Sequence, residues 1–144
     1  MADSNALKKE KKFSLIELIM IIMVVGIIFT LIIPLRNDYV YKERLGEAIR
    51  NIQIIARADV EFKNNPDNGY YAFDLGMLNI KDKLEKNTEE YLFEYTLTDS
   101  TVVATTKEIF GKKGAQISYF LPTGPWQLGE DKVSKNILNA NWLP

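Results

Sequence analysis

One acid stands inside the longest apolar run of this chain. It is Glu17, in FSLIELIMIIMVVGIIFTLIIPL, Phe13–Leu35. A carboxylate in such surroundings has one useful chemistry, attraction to a cation where the dielectric is low and Coulomb energy is large. Near the centre of a spanning helix an ionised carboxylate costs about 2.5–3.5 kcal/mol on insertion scales, so an intramembrane acid calls for a partner. Two sources of positive charge compete. Lys11 and Lys12 lie about one helical turn before Glu17, and the carboxylate can lean toward the interface and pair with either. The other source is a neighbouring subunit. Little else in the chain does chemistry. With 0 Cys and 0 His, disulfides, thiolate catalysis and Cys-based zinc sites are excluded, and so is the commonest general base and metal ligand. No constellation of catalytic groups is present, so we expect no enzyme, no cofactor and no metal. The adjacent acids Glu130 and Asp131 could form part of a calcium site, but a solvated turn is the expected use of such a pair.

The elements that must position Glu17 follow from hydropathy. Residues 1–12, MADSNALKKEKK, form a short basic leader with Lys8, Lys9, Lys11 and Lys12 against Asp3 and Glu10. About 20 apolar residues span a bilayer core as a helix, and Phe13–Leu35 meets that length. The lysines in front of it keep that end cytoplasmic under the positive-inside rule. The run is too long for a secretory signal and no small-residue cleavage site follows it. Residues 36–144 then read as a water-soluble part, long enough for a modest core. The net charge of −1, with both signs interspersed, implies no basic surface for nucleic acid.

The segment KKFSLIELIMIIMVVGIIFTLIIP resembles the N-terminal segment of type IV pilins and of the related pseudopilins of type II secretion. In that family a basic leader precedes a Phe, then comes a pattern like T-L-I-E-L and an apolar helix ending at a Pro. Phe13 matches the residue that becomes the mature N-terminus, and Glu17 falls four positions after it, where the family has its acid. Gly26 and Pro34 fall where the family has a helix-loosening Gly and Pro. The family has Gly immediately before the cut, whereas this chain has Lys12. A tolerant peptidase, an unprocessed membrane-retained paralogue and a residue changed from the natural one are the three explanations. The resemblance implies that prepilin peptidase cuts between Lys12 and Phe13 and methylates the new amine. That amine then pairs with Glu17 of an adjacent subunit during filament growth. It also implies that the helix flexes between Gly26 and Pro34; taken alone, the two residues are equally explained by ordinary membrane-helix composition and a simple kink.

After Pro34 the pattern becomes amphipathic. Leu45, Ala48, Ile49, Ile52, Ile55, Ala56 and Phe62 recur at spacings of three and four, and Glu43, Arg44, Glu47, Arg50, Gln53, Arg57 and Glu61 form the solvated face. The breaker cluster Asn64-Asn65-Pro66-Asp67-Asn68-Gly69 ends the helix. One helix from Phe13 to Lys63 results, about 75 Å long at 1.5 Å per residue. Tyr70, Tyr71 and Phe73 are expected to cover its end. Three strands follow. Tyr91–Leu97 has Tyr91, Phe93, Tyr95 and Leu97 on one face at period two. Thr101–Phe110 and Ala115–Leu121 complete a meander with short links. The tail is loop-rich, has room for a short strand, and is anchored by Trp126 and Trp142. The expected fold is α+β, a long N-terminal helix against a small antiparallel meander, pilin-like.

The function expected from the resemblance is a structural subunit of a type IV pilus or pseudopilus-like filament. Its partners are identical or related pilin subunits, prepilin peptidase, the inner-membrane assembly machinery and the membrane itself. It would sit in the inner membrane as a single pass and then in a cell-surface or periplasmic filament. The alternative is an unprocessed, single-pass anchored surface protein whose head binds a partner.

Overall fold

A computed structural model describes residues 13–144; the leader, Lys12 included, lies outside the described residues. Two compact units divide at Arg36/Asn37.

A single helix, α1, runs Leu15–Asn64 through Pro34. It begins two residues later than the sequence pattern predicts because Phe13 and Ser14 form its lead-in. In the first unit every side chain of the apolar run is exposed within the single chain. Its most apolar 18-residue window has mean hydropathy 3.1, so the helix is long and apolar enough to cross a membrane.

In the second unit α1 is one wall of a core. Leu45, Ala48, Ile52, Ile55 and Ala56 are buried, while Ile49 and Phe62 pack only at its margin. The sheet is antiparallel in the order β1 (Phe93–Thr98), β2 (Thr101–Thr106), β3 (Gln116–Phe120) and β4 (Trp126–Leu128). Alternation places Phe93, Tyr95 and Leu97 opposite Thr106, Ala104 and Val102, all buried. Ile117 pairs with Ala104 and extends the same face. A short helix, α2 (Lys132–Ile137), adds Ile137 to the core near the C-terminus.

Three expectations are corrected, at β2, at Glu47 and, below, at Phe73. The second strand stops at Thr106 rather than at Phe110. The Thr106 hydroxyl donates to the Lys112 carbonyl at 2.7 Å and accepts from the Ala115 N–H at 2.9 Å. These bonds fold Lys107–Gly114 into a turn, and Phe110 points back into the core from it, stacked on Tyr41 at 5.3 Å. Glu47, expected on the solvated face, is 0% exposed. Its carboxylate accepts the Asn87 N–H at 3.0 Å and the Leu92 N–H at 2.9 Å. One turn on, the Asn51 side chain accepts the Glu85 N–H at 2.7 Å and donates to the Glu85 carbonyl at 2.8 Å and the Tyr95 hydroxyl at 2.9 Å. Buried backbone groups need partners, and here side chains of α1 supply them to the irregular segment 85–92.

The loop after α1 is held in a similar way. Asp59, 0% exposed, accepts the Ala72 N–H at 2.7 Å through Oδ1, while Oδ2 has no hydrogen-bond partner among the described residues. Burial pushes its carboxyl above the ordinary range, against the lowering effect of the Ala72 bond. Tyr70 meets Phe62 edge-on at 5.8 Å and Lys63 sits over the Tyr71 ring at 4.1 Å. Phe73 does not cover the helix end as expected; it is 67% exposed.

Candidate functional site: the N-terminal segment

The start of α1 is built by four residues. The Ser14 hydroxyl accepts the Glu17 N–H at 3.2 Å, and Glu17 Oε2 accepts the Ser14 N–H at 3.0 Å. This reciprocal pair is a capping box, which satisfies two of the four N–H groups that a helix start leaves without partners. The acid also sits at the positive end of the helix dipole. The motif is legible in the sequence, since Ser-x-x-Glu before an apolar run is its signature. Glu17 therefore has a task within its own chain, as half of the helix cap. Phe13 precedes the cap and is exposed.

Farther along, Gly26, Thr30 and Pro34 lie on one face at spacings of four. Pro34 has no N–H, so the Thr30 carbonyl loses its partner in the helix ladder. The Thr30 hydroxyl bonds back to the Ile27 carbonyl at 2.8 Å and the Gly26 carbonyl at 3.1 Å. Such back-bonding bends helices and weakens their ladder. A Cβ added at Gly26 would meet nothing within 4 Å, so the chain's own packing does not require glycine there. Thr30 was missed at the sequence level because a lone hydroxyl in an apolar run looks like neutral filler. Its relation to the proline four residues on is the signal that finds it.

Of the adjacent acids Glu130 and Asp131, the second takes a structural role. Asp131 caps α2, accepting the Ser134 N–H at 2.8 Å through Oδ1 and the Ser134 hydroxyl at 2.5 Å through Oδ2. These bonds, the hydroxyl first, hold its carboxyl below the ordinary range. Among the described residues no group of three or more His, Cys, Asp or Glu converges on one point.

Neither a protein-family model nor a curated protein matches this chain.

Proposed function

We propose that the chain is a structural subunit of a type IV pilus-like or pseudopilus-like filament, held in the membrane by Phe13–Leu35 before assembly. The observation that carries the proposal is an apolar helix surface that the chain itself leaves wholly uncovered, with one carboxylate at its first turn. Lipid covers such a surface in the membrane, and identical helices cover it in a filament. Heterologous packing of identical subunits gives open helical assemblies. In the filament the amine of Phe13, freed by prepilin peptidase and methylated, pairs with Glu17 of the next subunit. In a low-dielectric bundle that pair fixes register, because either charge left alone is costly. Gly26 and Pro34, with Thr30 between them, supply the segment that bends during packing. Related subunits and the inner-membrane assembly machinery are the remaining partners.

Lys12, in place of the glycine expected before the cut, favours the alternative of an unprocessed single-pass protein whose head meets a partner. Mass spectrometry of the protein purified from its native membrane separates the two. A chain beginning at methylated Phe13 is expected, and a chain retaining the leader would overturn the processed filament.

A further inference from the structure

The sheet end at which Phe110 turns inward carries an unusual set of surface groups. Arg44, on α1, donates through Nη1 to the Phe110 carbonyl and to the Ile109 carbonyl at 3.4 Å. This ties the Lys107–Gly114 turn to the helix, alongside the Tyr41–Phe110 stack. Gly111 closes the turn at φ +124, and a Cβ there would come within 3.0 Å of the Tyr41 ring. With Phe110 directed inward, Ile109 is left 41% exposed, and Lys112 and Lys113 beside it are exposed.

Arg44 also lines a groove of about 500 Å³ with Arg50, Asn87, Thr88 and Val40. Arg50 is held there by Glu85 at 2.5 Å and by Asn87 at 2.9 Å. Within this unit, then, two guanidinium groups, two lysines and one exposed branched aliphatic share an end of the head. Tyr41 lies six residues beyond Leu35 in the sequence. Tyr39, 70% exposed, is an aromatic of the kind that settles at a membrane–water boundary.

We propose that this end of the head is a lipid-contact surface: Ile109 enters the interfacial layer, while Arg44, Lys112 and Lys113 meet phospholipid phosphates. The inference rests on the membrane-anchored reading of Phe13–Leu35. The acids nearby shape its character. Glu43 lines the groove, and Ile109 itself lines a second cleft with Glu90, Glu94, Glu108, Lys107 and Lys113. Positive and negative charges nearly balance, so the contact is made with individual phosphates and with apolar depth. Net attraction to an anionic surface contributes little, and vesicle charge should matter little.

The absence of native cysteine gives a clean test with the full chain. Single variants Ile28→Cys, Ile109→Cys and Ser100→Cys carry an environment-sensitive fluorophore in phosphatidylethanolamine–phosphatidylglycerol nanodiscs containing spin-labelled lipid. Ser100, in the β1–β2 turn, marks the opposite end of the strands. Strong quenching is expected at position 28. Quenching at 109 should exceed that at 100 by roughly two-fold or more, given the roughly 5–10 Å depth that interfacial elements reach. Adding Lys112→Glu and Lys113→Glu to Ile109→Cys should bring position 109 down to the level of 100 while the circular dichroism spectrum is unchanged. Equal quenching at 109 and 100, with 28 quenched, overturns the lipid contact and leaves the anchor standing. An unquenched position 28 removes the anchor and the inference with it. Excess inorganic phosphate should leave the signal at 109 intact, because tethered contacts act at high effective concentration. Loss of the signal on phosphate addition would reassign the groove to a free anion and refute the lipid contact.

Discussion

Glu17→Gln separates the two tasks that the first turn of α1 assigns to one side chain. Glutamine keeps the carbonyl oxygen that accepts the Ser14 N–H, and either Glu or Gln completes a capping box. What is lost is the charge. Its interaction with the helix dipole is worth about 0.3–1 kcal/mol, so the isolated helix should barely notice. A filament that relies on a cation–carboxylate pair loses far more, because removing one partner of a buried pair costs about 3–5 kcal/mol. At about 1.4 kcal/mol per decade, assembly should fall by roughly two to four orders of magnitude. Glu17→Ala should fall as far, with a further loss of about 1 kcal/mol from the cap. Ser14→Ala, which removes only the hydroxyl side of the box, should still assemble. The assay is the ratio of shearable filament to membrane-bound subunit in cells producing each variant, with helicity measured in detergent. If Glu17→Gln forms filaments at the unmodified level while Glu17→Ala and Ser14→Ala do not, the acid is a helix cap and the intermolecular pair is refuted.

Other expected outcomes concern the head. Glu47→Ala leaves the buried Leu92 N–H without its acceptor and frees the half-covered Asn87 N–H; at about 1–3 kcal/mol for the buried group it should lower the denaturation midpoint in urea titrations. Phe110→Ala removes the contact with Tyr41 at 5.3 Å and with Phe93 at 5.1 Å; a loss of about 3–5 kcal/mol is expected, read by thermal melting. Thr106→Val deletes both hydroxyl bonds that close the following turn and should increase amide hydrogen exchange across 107–114 before it affects β1. Asp59 has its folded carboxyl raised above the unfolded value, so the fold binds its proton more tightly than the unfolded chain. Its contribution is therefore unfavourable at neutral pH, and the penalty fades as pH falls through the folded value toward the ordinary carboxylate range. Stability measured across that window should show this slope, and Asp59→Asn should abolish it.

Much of the fold was legible because periodicity reports burial. The change from unbroken apolar sequence to a three-and-four stripe located both parts of α1, and period two placed Phe93, Tyr95 and Leu97 on the inner face. What periodicity could not reveal was polar residues buried for their hydrogen bonds. Glu47, Asn51 and Asp59 look like solvent-facing positions until the irregular segments they serve are folded against them. The end of β2 was hidden for the same reason, since nothing in the pattern marks Thr106 as the residue whose hydroxyl closes the turn that follows. At the candidate site Phe13, Glu17, Gly26 and Pro34 were singled out by the resemblance of their segment to pilin N-termini. The roles of Ser14 and Thr30 were not, because each depends on a backbone group three or four residues away.

The helix-borne clamp also orders events in time. A ribosome delivers Glu47 well before its two donors, the later of which, Leu92, lies 45 residues downstream. During that interval a helix bearing Leu45, Ile52 and Ile55 has its future interior facing outward, punctuated by a carboxylate and an amide. Those polar groups keep the nascent stripe from being uniformly greasy and so discourage premature association between half-made copies. The same atoms that later fasten segment 85–92 thus act first as a safeguard on the unfinished chain.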